Sequence, residues 1–359
     1  MRVERDIEGI AFPFAAGVAL SVFSGAAPSY AALSLLPLLP LFLPAHKNWP
    51  STAVRFLLTL CTFGCGFLIG TTANILEISS LKSASSIRGL GFAMQEAINS
   101  IPFRDAETNA VVKALLTGER NGLRRETAEA FRASGASHIL ALSGLHLGII
   151  YGIVSKSLQL LGNNKKVQIA RSLICILICG LYTLATGAGA SITRAFIFIL
   201  IGEIARMTGR HHSTASILSV TLIIHLTISP GDISSAGFQL SYLAMLGIAY
   251  LYPHIRGFWP GINDPEGRKG IMQRIWDAAA LSISCQLTTG PVAWLYFGTF
   301  PQYFLLTNLI SMPLTGILIP MAVLTVLLST LGILPQILVN ATEWVSTLLL
   351  QSIGIIASM

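Results

Sequence analysis

Charge is scarce in this chain. Only 11% of its 359 residues are Asp, Glu, Lys or Arg, against about 25% in an ordinary soluble domain. A soluble globule could not clothe its surface with so few, which excludes a soluble enzyme. The shortage is also uneven. No charged side chain falls between Glu8 and Lys47, Arg55 and Glu77, Arg132 and Lys156, Arg171 and Arg194, Arg210 and Asp232, or Asp232 and Arg256, and the stretch between Asp277 and Glu343 is 65 residues long. A helix crosses the hydrocarbon core with about 20 apolar residues, and these stretches are that size or multiples of it. Cysteine is scarce too. The five thiols (Cys61, Cys65, Cys175, Cys179, Cys285) are too few for a disulfide framework. Two pairs of them are i,i+4 within apolar segments, where thiols act as small core residues. No P-loop, G-x-G-x-x-G or H-E-x-x-H string occurs. No cofactor, metal or ATP chemistry is therefore expected of these residues.

What fills the chain instead is apolar side chain, 53% of it. The fold class that follows is all-α: a polytopic integral membrane helix bundle of about eleven transmembrane spans. They are read at about 9–26, 29–45, 54–72, 138–161, 169–187, 192–208, 213–229, 236–252, 277–298, 303–330 and 337–358. The organisation is 1–72 as amino-terminal transmembrane helices, 73–137 as an extracytoplasmic helical segment, and 138–359 as the membrane core. The opening apolar run has no small-residue cleavage pattern, so it reads as retained. Lys and Arg set the orientation. Thirteen sit in alternate short segments (Arg2, Arg5, Lys47, Arg55, Lys165, Lys166, Arg171, Arg206, Arg210, Arg256, Arg268, Lys269, Arg274), and the intervening loops hold only Arg194. The positive-inside rule puts the thirteen in the cytoplasm. The expected location is the cytoplasmic (inner) membrane, amino terminus inside and carboxyl terminus outside.

Residues 73–137 mix both signs of charge. Ala110, Val111, Ala114 and Leu115 make a narrow apolar stripe, Gly118 and Gly122 break the chain, and 124–134 resumes as an amphipathic helix. Short half-polar helices of this kind are expected at the outer membrane interface. They read either as a solvated hairpin or as a vestibule for an anionic substrate.

The polar residues inside the apolar stretches are the candidate site. His138, Ser143, Gly144, His146 and Gly148 crowd one short stretch. Ser143 and His146, three apart, share a helix face, and Gly144 with Gly148 forms a small-xxx-small step that admits a close helix. The plain reading is packing with a satisfied histidine; the functional reading is a polar path, because ionisable groups at membrane depth face the interior or water. Ser191 is a candidate N-cap with Arg194 one turn on, where the guanidinium either meets an anion or snorkels to headgroups. Gln239, Ser241 and Asn308 are the other polar side chains on the expected path. Glu203 and Arg206, three apart, read as a local ion pair.

Residues 103–330 resemble the competence domain of ComEC-type DNA-internalisation proteins. The strings that carry the resemblance run from Ala114 to Leu123 (ALLTGERNGL) and from Phe131 to Gly148 (FRASGASHILALSGLHLG), then Arg194-Ala195, Gly237 to Ser241 (GFQLS) and Asn308 to Pro313 (NLISMP). The resemblance implies a channel core that passes single-stranded DNA across the inner membrane during natural transformation, with no covalent chemistry of its own. It implies membrane lipid as surroundings, and separate nuclease, DNA-receptor and cytoplasmic helicase proteins as partners. Residues 73–137 lack the alternating strands of the OB-like domain that full-length relatives carry there, and the nuclease-type domain of those relatives is expected to be absent. Two other classes stand beside the channel: a small-solute or anion transporter on the same helices, and a membrane-embedded hydrolase using Ser143 and His146, which would need an orienting group for the histidine.

Overall fold

The low-charge stretches fold as helices. A computed structural model describes residues 2–25, 51–71, 85–160, 162, 164–209, 213–258, 270–298 and 301–359. Among them every regular element is helical and no strand occurs. In chain order they are α1 (Arg2–Ser24), α2 (Ser51–Thr71), α3 (Ser85–Asn99), α4 (Ala106–Thr117), α5 (Arg125–Ala133), α6 (Ser137–Leu140), α7 (Gly144–Gln159), α8 (Lys165–Ala185), α9 (Ala190–Met207) and α10 (Thr214–Ile228). A 3-10 turn (Pro230–Ser234) leads to α11 (Ala236–Leu246), a π segment (Gly247–Leu251) and α12 (Tyr252–Arg256), followed by α13 (Ile271–Phe297), α14 (Phe304–Thr330) and α15 (Gln336–Ala357). The expected span 29–45 lies outside the described residues.

By length and composition alone, two of the described helices, α8 and α14, are long and apolar enough to cross a membrane. Three apolar stretches, Gly9–Ser24, Arg55–Thr71 and Thr214–Ile228, are shorter. Two of the expected spans are also interrupted. The 138–161 run breaks at Ala141–Ser143, and 236–252 changes to π geometry at Gly247. A Cβ at Gly247 would stand 2.6 Å from the Ser284 carbonyl oxygen, so the π segment sits where two helix backbones come close. The exposure pattern is inverted relative to a soluble bundle. α8 turns Leu173, Leu177 and Leu181 outward and α14 turns out Ile317, Leu324 and Leu327, while α14 buries Thr307, Ser311, Thr315 and Thr325. Lipid rewards that arrangement, because apolar burial gains nothing there and small polar residues let helices pack closely.

The chain forms two compact units: Met1–Lys82 with Ile197–Tyr242, and Ser83–Phe196 with Leu243–Met359. In the first, α1 and α2 cross in backbone contact. A Cβ on Gly17 would overlap the Phe63 carbonyl oxygen, and one on Gly66 that of Phe14. Glu203 and Arg206 pair as the sequence predicts. The second unit is built around α4. Val111, Ala114 and Leu115 pack with Phe131 of α5, Ile139 and Leu140 of α6, Leu318 of α14, and Leu349 and Ile353 of α15. Eight of the twelve residues of α4 are buried, which corrects the expected half-polar interfacial helix. Among the described residues the hydroxyl of its buried Thr108 has no partner, but its buried carboxylate does. Buried Glu107 accepts the Arg124 backbone N–H at 3.3 Å and faces its guanidinium at 3.3 Å. α5 keeps the amphipathic form, with Phe131 buried and Arg125 and Arg132 exposed.

Candidate functional site

The site begins at the break in the expected 138–161 span. After α6 the backbone turns extended, and α7 starts at Gly144 with Ser143 as its N-cap. Ser143 Oγ accepts the Leu145 N–H at 3.3 Å, and His146 Nδ1 accepts the Ser143 N–H at 3.2 Å. This reciprocal capping satisfies two donors that a helix start leaves orphaned, and it outweighs the uninterrupted apolar pattern. Ser143 and His146 therefore meet, Oγ to Nδ1 at 3.0 Å, but through capping rather than by sharing one helix face. A backbone N–H only donates, so Nδ1 carries a lone pair and the neutral ring's proton is on Nε2. His146 is 1% exposed, and among the described residues its Nε2 has no hydrogen-bond partner.

Gly144 ties this corner to Arg194. A Cβ there would stand 3.0 Å from a terminal nitrogen of Arg194 and 3.4 Å from the Ala195 Cβ. The absent side chain makes room for the guanidinium, and Arg194 is only 7% exposed. The charge is turned into the protein rather than out toward headgroups. Gly148 has nothing within 4 Å of its missing Cβ, so the expected small-xxx-small contact exists at its first position only. α9 begins at Ala190, which puts Ser191 inside the first turn instead of at the cap.

The other strings converge on the same break. Gly118 ends α4 at φ 78°, a conformation glycine adopts without strain, and a Cβ on it would meet Leu142 Cδ1 at 2.7 Å. Arg120 Nε donates to the Leu140 carbonyl at 3.2 Å. Thr307 Oγ1 donates to the Ser134 carbonyl at 2.7 Å, and Gly135 lies against Pro301 and Phe304. Asn308 follows Thr307, and its Oδ1 is buried without a partner among the described residues. His138 is exposed, with Nδ1 3.1 Å from the Gly135 carbonyl oxygen. Gln239 and Ser241 belong to the other unit. There Gln239 Nε2 donates to the Ile233 carbonyl at 2.9 Å, which pins the start of α11 to the preceding turn.

A groove of about 410 Å³ runs between α13 and α14, lined by Ile283, Gln286, Leu287, Gly290, Pro291, Trp294 and Phe304. None of the expected path residues lines it. The Ser143–His146 contact runs through Nδ1, with the hydroxyl oxygen also capping Leu145. Among the described residues no carboxylate bonds Nε2, the orienting group that a nucleophilic dyad uses. Among the described residues no three His, Cys, Asp or Glu side chains gather as metal ligands do.

Sequence reasoning missed one polar cluster. His225 Nε2 lies 3.1 Å from Asp232 Oδ2, and its Nδ1 lies 3.3 Å from Tyr242 Oη. The signal was there: a histidine in the last turn of an apolar helix, a Pro-Gly turn, and one acid immediately beyond it. Such a turn folds the acid back over the helix end.

A family model described as "Competence protein" matches residues 115–359, more than half of the chain. The chain is 26% identical over 230 residues to ComE operon protein 3 of Bacillus subtilis (strain 168), covering 63% of this chain and 27% of that protein. It is 24% identical over 258 residues to the uncharacterized protein YcaI of Escherichia coli (strain K12), covering 70% of this chain and 32% of that one. The alignments thus span less than a third of either relative. No solved structure matches. The matched region contains every candidate residue from His138 to Asn308, and on that match the chain belongs to the competence-protein family.

Proposed function

We propose that this chain is the core of an inner-membrane path for single-stranded DNA during natural transformation. The observation that carries the reading is the corner where four family-like strings meet: Arg194 buried against Gly144, beside His146 with its Nε2–H unpaired. A polyanion path needs donors and cations in its walls. It needs them sparse, because conduction requires weak contacts at several positions. His138, Ser143, Gly144, His146, Arg194 and Asn308 are the proposed wall residues of one unit, and Gln239 and Ser241 of the other. About eleven crossings, an inside amino terminus, an outside carboxyl terminus, and separate receptor, nuclease and helicase proteins complete the proposal. α5, which exposes Arg125 and Arg132, is the proposed wall of the outer vestibule.

The test is uptake of labelled DNA by a competent host whose own gene is replaced by variants of this chain. His146→Leu and Arg194→Gln should each lower uptake at least tenfold with the folded amount in the membrane unchanged. Normal uptake by both variants would overturn the assignment of this corner. Loss of small-anion flux with DNA uptake intact would favour the transporter.

A further inference from the structure

His225 is completely buried in the last turn of α10. Both of its ring nitrogens are engaged, Nε2 with Asp232 from the 3-10 turn and Nδ1 with Tyr242 from α11. Phe238 closes one side of the ring edge-on, with centroids 5.1 Å apart. α1 packs on α10 and on the turn, and α2 packs on the turn; between Gly9 and Ser24 α1 offers no titratable side chain, and α2 carries Arg55, Cys61 and Cys65. Asp232 is the sole formally charged residue between Arg210 and Arg256, and its side chain is 35% exposed. The cluster thus has a wet end at the carboxylate and a dry end at the phenol.

We propose that His225, Asp232 and Tyr242 form a proton-binding site. In the empty state the Nε2–H donates to the Asp232 carboxylate and the Tyr242 hydroxyl donates to the Nδ1 lone pair, so the cluster carries one negative charge. Loading takes one proton from hydronium, whose O–H bond breaks and leaves water. One N–H bond forms, at Nδ1, and the Tyr242 hydroxyl turns so that its oxygen accepts. The loaded cluster is an imidazolium paired with a carboxylate and has no net charge.

Three features favour loading. A carboxylate lies within hydrogen-bond distance of Nε2. The ring sits at a helix C-terminus, where the macrodipole favours a cation. A cluster without net charge is also less costly at membrane depth than one with an unpaired charge. The two states differ in the bond that joins α11 to α10, so proton occupancy is coupled to how those helices are held. The inference does not depend on the DNA reading.

The test uses the full chain in lipid nanodiscs with ¹⁵N-labelled histidine. The His225 signals are those lost in His225→Gln. Spectra are taken at about pH 5 and about pH 8, either side of the ordinary histidine range. His225 should carry one ring proton at the higher pH and two at the lower. Asp232→Asn should cut the doubly protonated population at the lower pH at least tenfold. A ring that keeps a single proton at both pH values overturns the proposal, as does loading that survives Asp232→Asn unchanged. If that variant does not fold, the wild-type pair of spectra decides alone.

Discussion

His146 and His225 are the same residue at nearly the same burial, each at the end of an apolar helix, yet their surroundings differ at every other point. His146 is at the N-terminal end of α7, where the macrodipole disfavours a cation. Its Nδ1 is committed to capping and its Nε2 has no partner among the described residues. His225 is at the C-terminal end of α10 and has a partner at each nitrogen, one of them a carboxylate. A buried donor without a partner is costly, and a fold retains such a group where something else uses it. A buried histidine bonded at both nitrogens ties its neighbours together, here the turn and α11 to α10. The comparison teaches that burial alone does not say what a histidine does; what its two nitrogens meet does.

The largest effect should come from replacing each by leucine. His225→Leu leaves the Tyr242 hydroxyl and the Asp232 carboxylate without that partner. It should cost about 1–3 kcal/mol, the range for orphaning buried polar groups. His146→Leu loses one capping bond but also removes the unpaired Nε2–H, so its net cost should stay under about 1 kcal/mol. Reversible unfolding in detergent measures both. Uptake should rank the other way if His146 serves the path. Equal costs for the two substitutions would break the comparison.

Next in size is the cap. Ser143→Ala removes the acceptor for Leu145 N–H and should cost about 1 kcal/mol, while Ser143→Asn, an equally good cap, should cost little. The same pair separates the cap from the hydrolase reading. A nucleophile would lose all activity with asparagine, whereas a cap would be rescued by it.

How much of this was legible beforehand depended on range. The helical class followed from charge spacing, and the Glu203–Arg206 pair from a separation of three. The polar crowding around Ser143 marked the right place. The break there was missed because the side chains that end α6 and start α7 are themselves compatible with a helix, and only the reciprocal cap decides. The burial of α4 was missed for a longer-range reason: α14 and α15, some 200 residues on, pack against Val111, Ala114 and Leu115, and α14 against Val112 and Leu116 as well. The Gly144–Arg194 contact spans 50 positions, and nothing in either string announces the other.

The smallest effect sharpens that last contact. Gly144 and Gly148 are one turn apart on α7 and were read alike, but only Gly144 has a close neighbour. Gly148→Ala enters open space within a helix, so it should stabilise by about 0.5–1 kcal/mol through backbone entropy alone. Gly144→Ala gains the same entropy but must push a guanidinium nitrogen back from 3.0 Å. That nitrogen ends a flexible side chain, so the push is inexpensive and the net change in stability should be near zero. The two alanines should therefore differ by no more than about 1 kcal/mol in unfolding, with neither destabilised, and differ plainly in DNA uptake. Uptake should fall for Gly144→Ala, where Arg194 has moved, and stay at the wild-type level for Gly148→Ala. If both take up DNA normally, Arg194 beside Gly144 is a packing contact and the path lies elsewhere.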